Sequence, residues 1–502
     1  MPEITTKQHF ERRNIVRFGF AALIVCFYLF GLGIPLLGPD EPRYAQVARE
    51  MFERGDWITP TLGGFNWFEK PALLYWLEIG SYNIFGVSEF SARLGSALFG
   101  LATIAALWIL GSELERRDPS RKNLADWLAL TAASSIGMIV FSRGASFDVI
   151  LTFPVTAALV SFFVYELRKE KTDFSLLLFY IFIGIALLAK GLIGIVLPFG
   201  IVGLYYLLSH QIPPRNFLIS LAWGTALSTL VASVWYVPMY YQHGWEFIDE
   251  FIIQHHFQRF TSNKYQHPQP FHFFFWVLPL MTIPWLPFFA AAIWKIVRNL
   301  FSSLQHKPGD DSIKLRLFAF AWLIVPVLFF SASGSKLPGY VLPALPGALI
   351  LTGLFLFDLS RRHRYVRLGI PIISVATFVL LAGAVIFVVP RFAAADSVKG
   401  LIQSADAQGF SGKPVLMFHT VSHNAEFYAA GRVVRDPNGA QEKITSLDAL
   451  VHAVRIGGGI AVVLMPIPYL EQIKTEQRLS YAVLGNNGET AAVGVKNAEQ
   501  MQ

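Results

Sequence analysis

The sequence predicts an all-α polytopic membrane bundle of about eleven spans with a small α/β domain after it. Three observations predict it. Hydrophobic residues make up 54% of the 502 residues and charged residues only 15%, well under the roughly 25% of a soluble domain. Apolar runs of spanning length recur along the chain as far as Pro390. Beyond Pro390 the charge, Gly and Asn content returns to that of an ordinary soluble domain.

The elements follow in order. The basic stretch Lys7, Arg12, Arg13, Arg17 precedes an apolar run of spanning length with no small-residue cleavage site after it, so a first transmembrane helix is expected rather than a cleaved signal. Expected spans are 16–37, 90–111, 125–142, 149–166, 174–190, 191–209, 217–241, 272–294, 317–333, 341–358 and 368–390. Lys and Arg crowd alternate loops: Arg116, Arg117, Arg121 and Lys122 in one, Lys295, Arg298, Lys307, Lys314 and Arg316 in another, Arg361, Arg362, Arg364 and Arg367 in a third. By the positive-inside rule these loops and the N-terminus are cytoplasmic. The odd span count puts 391–502 outside, in a multi-pass protein of the plasma (inner) membrane. Two loops on the outer side are long, 38–89 and 242–271. Residues 1–390 form the membrane domain and 391–502 the α/β domain. In the latter "PVLMFHT" and "IAVVLMP" read as buried strands, "SLDALVHAV" as a helix with a Ser cap, and "YAVLGNNGETAAVGV" as two strands about an Asn/Gly turn.

One cysteine, Cys26, excludes an intrachain disulfide, and no Cys/His spacing suggests a structural zinc site. The net charge of +7 is accounted for by the cytoplasmic loops, and no nucleic-acid motif is present.

Polar groups that could do chemistry converge on the outer face from five segments: Asp40, Glu41, Arg43 and Tyr44 in "GPDEPRYA"; Glu69 and Lys70 in "FEKP"; Asp148 in "SFD"; His255, His256 and Arg259 in "QHHFQRF"; Lys336 and Tyr340 in "SGSKLPGYVLP". Each has a plainer reading beside it. Asp40 and Asp148 could cap helices. Lys70 and Lys336 could be interfacial lysines with their ammonium groups in the headgroup layer. The histidines could be solvated, and Glu50 and Glu53 the wet face of an amphipathic helix over 44–54. Taken together the residue types suit transfer of a group from a phosphate. Cations stabilise the negative charge left on the departing phosphate, and a carboxylate takes the proton of a hydroxyl acceptor. A transporter would instead line a path through the midplane with polar groups; Lys190 is the nearest to that pattern. A scaffold would use such charges only as anchors.

"DEPRYAQVAREMFERGDWITP" followed by "FEKPALLYWL", then "FDVILT", "AKGLIGIVLP", "HFQRF" and "SKLPGYVLP", resembles the aminoarabinose transferase branch of the membrane glycosyltransferases, in the superfamily that includes protein O-mannosyltransferases. The likeness runs over roughly 14–390. It implies a GT-C type bundle whose first outer loop covers the site, and an inverting glycosyltransferase. The donor would be a polyprenyl-phosphate-linked sugar, and the acceptor an envelope lipid such as lipid A, another glycolipid, or a protein. By motif position the resemblance places Asp40 near the sugar, with Glu41 and Asp148 as further catalytic carboxylates. Lys70, Arg259 and Tyr340 would hold the carrier phosphate, with Arg43 and Lys336 as further substrate-binding groups. Glu69 and His256 would contact a divalent metal ion.

Overall fold

A computed structural model describes residues 2–168, 173–258, 268–304 and 310–498; of these, the side chains of 2–14, 173, 256, 257 and 299–304 are not described. The chain falls into two compact units, residues 1–30, 69–74 and 93–382, and residues 31–68, 75–92 and 383–502.

The first unit is helical. Helices α1 (Pro2–Leu29), α4 (Glu89–Arg117), α5 (Leu124–Ala133), α6 (Ile136–Phe141), α7 (Phe147–Leu167), α8 (Asp173–Lys190), α9 (Ile193–Leu208) and α10 (Arg215–Phe247) precede a looser π-helical stretch, Ile248–Gln258. Then come α11 (Phe273–Met281), α12 (Leu286–Leu304), α13 (Asp311–Ser331), α14 (Leu345–Arg362) and α15 (Arg364–Phe387). The expected apolar runs lie largely in helix, but the first, 16–37, leaves it after Leu29. Among the described residues, six helices are long and apolar enough to cross a membrane, with shorter apolar helices at Ile15–Leu29, Phe174–Lys190 and Ile193–Leu208. The chain is a multi-pass membrane protein.

Two of the expected runs are broken. The run 125–142 stops at Ser134 and Ser135, and the run 272–294 stops between Thr282 and Trp285. Broken helices leave backbone groups that an apolar surrounding cannot satisfy. Here the two breaks satisfy each other: Ile136 N donates to Ile283 O at 2.8 Å, and Trp285 Nε1 donates to Ser134 Oγ at 3.1 Å.

The core of this unit is aromatic and centres on α7, whose side chains are almost all buried. The Phe162 ring meets those of Phe179, Tyr206, Phe217 and Phe318 at centroid distances of 5.3–5.9 Å. By contrast α15 buries little inside the protein although it is apolar on all sides. An apolar helix left uncovered by its own chain fits a lipid surround.

The second unit begins with α2 (Asp40–Arg54), a two-stranded hairpin of β1 (Thr61–Leu62) and β2 (Phe65–Asn66), and most of α3 (Leu73–Phe85). Glu50, expected on a wet face, clamps the hairpin: its carboxylate accepts from Gly63 N at 2.6 Å, Gly64 N at 3.1 Å and Thr61 Oγ1 at 2.8 Å. Glu53 does face solvent, paired with Arg49 at 2.7 Å.

The rest of the unit is the C-terminal mixed sheet. Strands β3 (Val415–Phe418), β4 (Lys443–Ile444), β5 (Ile460–Pro466), β6 (Leu479–Asn486) and β7 (Thr490–Asn497) lie in the order β4-β3-β5-β7-β6. The first three are parallel and the last two pair antiparallel. Helices α16 (Val389–Asp396), α17 (Lys399–Ala405), α18 (His423–Tyr428), α19 (Leu447–Ile456) and α20 (Leu470–Lys474) complete it. Both faces of the sheet are covered, which explains the unbroken apolar run of β5. The predicted strands, the Ser446 cap on Ala449 N (3.3 Å) and the Asn/Gly turn at 487–489 are all present.

Candidate active site

In the first unit, α7 begins at a Ser cap. Ser146 Oγ accepts from Asp148 N at 3.3 Å and donates to Asp148 Oδ2 at 3.4 Å. The helix is therefore capped by Ser146, which leaves Asp148 for other work. Lys190, the last residue of α8, donates to Asp148 Oδ1, and its ammonium lies 4.8 Å from the centroid of the Tyr340 ring. Both charged side chains are mostly buried, Lys190 12% and Asp148 17% exposed, and a buried ion is costly to leave without its partner. Tyr340 sits on a 3₁₀ segment, Pro338–Ala344, packed against α7. Gly339 lets that segment approach, because a Cβ there would overlap the Asp148 carboxylate. The structure thus brings together Asp148 and Tyr340, and adds Lys190. In the sequence Lys190 reads only as the residue nearest to a transporter's midplane charge, within the motif "AKGLIGIVLP".

Lys336 is buried, donating to Ser333 O at 2.6 Å and Gln269 O at 3.0 Å. Among the described residues these two carbonyls take two of its three protons. Lys70 donates to Glu69 Oε1 at 2.6 Å, both side chains 12% exposed. Arg259 lies outside the described residues. His256 lies on the π-helical stretch, and its side chain is outside them too.

In the second unit, Asp40 opens α2. No side-chain bond caps this helix. Arg43 donates to the Asp40 carboxylate and, at 3.0 Å, to Pro39 O, and it stands 5.7 Å from the Trp67 ring centroid. The Asp40 side chain stays 46% exposed, a carboxylate steadied by a cation and still open to a substrate. Glu41 is buried and turns back to accept from Leu37 N at 2.8 Å, fixing the chain as it enters the helix.

One further acid has no counterpart in the motif reading. Glu78 of α3 is fully buried, and neither oxygen has a hydrogen-bond partner among the described residues. Burial, and then the nearby Glu41 charge, push its carboxyl well above the usual carboxylate range. Tyr82, one turn on, donates to Ala45 O at 3.1 Å and ties α3 to α2.

A divalent ion would need several oxygen or nitrogen ligands. Among the described residues no three His, Cys, Asp or Glu side chains come together, and Glu69 is engaged by Lys70. The His256 side chain, the other half of the expected metal contact, lies outside the described residues.

Comparison with known proteins places these observations. Residues 17–250 match the family described as dolichyl-phosphate-mannose-protein mannosyltransferase. A relative from Shewanella sediminis, described as undecaprenyl phosphate-alpha-4-amino-4-deoxy-L-arabinose arabinosyl transferase, is 30% identical over 368 residues, 72% of this chain and 63% of its own. A like-named relative from Aeromonas salmonicida is 29% identical, over 70% of this chain and 62% of its own. The chain thus spans less than two thirds of the length of these curated relatives. The crystal structure of ArnT from Cupriavidus metallidurans bound to undecaprenyl phosphate superposes with a TM-score of 0.76 at 21% identity, over 95% of this chain and 97% of that one. An oligosaccharyltransferase from Archaeoglobus fulgidus, in complex with Zn and sulfate, shares the fold more distantly, with a TM-score of 0.51 at 13% identity over 90% of this chain and 68% of that one.

Proposed function

We propose that this chain, similar to the aminoarabinose transferase branch of the GT-C membrane glycosyltransferases, moves a sugar from a polyprenyl-phosphate carrier to an envelope acceptor at the outer face of the plasma membrane. The acceptor oxygen attacks the anomeric carbon as the bond from that carbon to the phosphate oxygen breaks. The electron pair of that bond leaves with the carrier phosphate, and the configuration inverts. A hydroxyl acceptor gives its proton to Asp40, whereas a phosphate acceptor is already anionic and needs no base.

The observation that carries this reading is the Lys190–Asp148–Tyr340 constellation. An ammonium has three protons. With one on Asp148, Lys190 can turn another, beside the Tyr340 hydroxyl, toward a phosphate oxygen whose charge grows in the transition state. Lys70, Arg259 and Lys336 serve the same charge. Arg43 pairs with Asp40 and fixes where its carboxylate stands.

Lipid A or another glycolipid is the acceptor that the arabinosyl relatives suggest, and a protein hydroxyl is the one that the mannosyltransferase family suggests. Mass spectrometry of lipid A, glycolipids and envelope proteins from cells with and without the gene tests both. A sugar-sized mass lost from one of these classes identifies the acceptor, and no change in any of them defeats the proposal. With purified enzyme, Asp40→Asn is expected to abolish transfer to a hydroxyl and to leave partial activity toward a phosphate. The orientation rests on the loop charges, so a reporter active only in the cytoplasm, fused after Gln502, is expected to be silent.

A further inference from the structure

Three successive backbone amides lead into Asp40, and each meets a side chain. Leu36 N donates to Tyr428 Oη at 2.8 Å, Leu37 N to Glu41 Oε2 at 2.8 Å, and Gly38 N to Asp396 Oδ2 at 3.3 Å. Residues 35–37 have no regular secondary structure, and α2 starts without a side-chain cap. Backbone outside a helix or sheet has no ladder of its own to fix it, so these bonds hold the point at which α2 begins. Two of the three partners, Tyr428 and Asp396, belong to the C-terminal domain.

Tyr428 is itself held in place. It is the last residue of α18, and it packs against the core that Ala425 and Ala429 share with β3 and β5. Its hydroxyl donates to Glu89 Oε1 at 3.1 Å, and the same oxygen accepts from Lys399 Nζ at 2.6 Å. Glu89 is buried at the start of α4. A phenol has one proton. With that proton on Glu89, the Tyr428 oxygen has lone pairs to offer the Leu36 amide, and a hydroxyl that donates to a charged group accepts more strongly in turn. Arg49 Nη1 of α2 reaches Phe427 O at 3.4 Å and ties the helix to the same end of α18. The Asp396 bond is longer and exposed, the weaker of the two tethers.

We infer that the C-terminal domain takes part in transfer through Tyr428, a positioning residue whose hydroxyl holds the segment ahead of Asp40, with Asp396 as a second tether. This inference rests on the proposed role of Asp40 as a base. Arg43 fixes the Asp40 carboxylate relative to its own helix, whereas Tyr428 fixes the start of that helix. A base must lie within hydrogen-bond reach of the proton it takes, and a misplacement of about 1 Å can cost about a hundredfold in rate.

The test uses the full-length enzyme in detergent and two measurements. Tyr428→Phe removes the hydroxyl and keeps the ring. In hydrogen–deuterium exchange, which needs no ligand, it is expected to speed exchange in a peptide covering 36–41 and to leave β3 and β5 as in the wild type. In steady-state transfer, with the sugar and acceptor that the mass spectrometry identifies, it is expected to lower kcat by about ten- to a hundredfold with little change in donor KM. Asp396→Ala is expected to lower kcat less, and Asp396→Asn, which keeps an acceptor oxygen for Gly38 N, to recover that loss. Equal loss in the two Asp396 variants overturns the second tether. If Tyr428→Phe keeps full kcat while Asp40→Asn is inactive, the inference fails and the base remains. If kcat falls while 36–41 exchanges as in the wild type, the effect does not run through the tether and the inference fails. If kcat falls with exchange raised throughout the sheet, Tyr428 only supports the fold and the inference fails. Full activity in Asp40→Asn defeats both readings.

Discussion

A lysine at the end of an apolar helix looks the same in sequence whether it anchors the helix or serves a site. Lys190 is no simple anchor, because Asp148 accepts from it across 42 residues of chain and Tyr340 lies under it. That partnership comes from the packing of α7, α8 and the 338–344 segment, which no local spacing encodes. Lys190→Met is expected to destabilise the protein by about 3–5 kcal/mol, since it leaves a buried carboxylate unpaired. Asp148→Asn combined with Lys190→Met should regain most of that stability while transfer stays lost, as measured by thermal unfolding in detergent and by turnover. Recovery of both would make the pair structural. Glu78 makes the opposite case. Its carboxyl is raised in the folded state, so it folds at no ionic cost when acidity protonates it in both states. The cost then grows as pH rises above the unfolded value. Glu78→Gln should therefore raise the unfolding temperature more at pH 8 than at pH 5, and an equal gain at both would show that Glu78 is not held protonated.

At the scale of elements, the apolar periodicity was enough to find the helices but not to say which faces meet. Helices α8 and α10 show why. Gly224 of α10 lies against the Tyr180 ring of α8, and Ser220 and Ser228, one turn to either side, bond Tyr180 Oη at 2.9 Å and Tyr180 O at 2.7 Å. Small residues at four-residue spacing let helices approach where apolar burial gives no driving force. Gly224→Val should force the ring aside and lower the yield of folded, monodisperse protein in size-exclusion chromatography. Ser228→Ala should cost only about 0.6 kcal/mol, the typical worth of such a bond between membrane helices. Of the helix breaks, the second carries a sequence signal in Pro284, whereas Ser134–Ser135 is ordinary in an apolar helix, and the bond between the two breaks is visible only in the fold.

For the whole molecule, composition and the apolar runs were sufficient for a helical membrane part followed by a mixed sheet, and the ordered motifs for the family resemblance. The residues 31–68 and 75–92 nevertheless cluster with the C-terminal sheet. That association is carried by contacts such as Leu36 with Tyr428 and Arg49 with Phe427, between residues nearly four hundred positions apart, a distance over which a sequence holds no readable signal. The paired helix breaks bear on how such a chain is made. Ile136 leaves the ribosome well before Ile283 exists. Until then its amide, in an apolar run, has no carbonyl at Ile283 to meet. The early segment is therefore stable in its final form only after the late one arrives. A nascent chain stopped short of residue 283 should hold 125–142 in an exchangeable, protease-sensitive state, and one extended past 304 should lock it, so that insertion of this half of the protein is completed backwards along the chain.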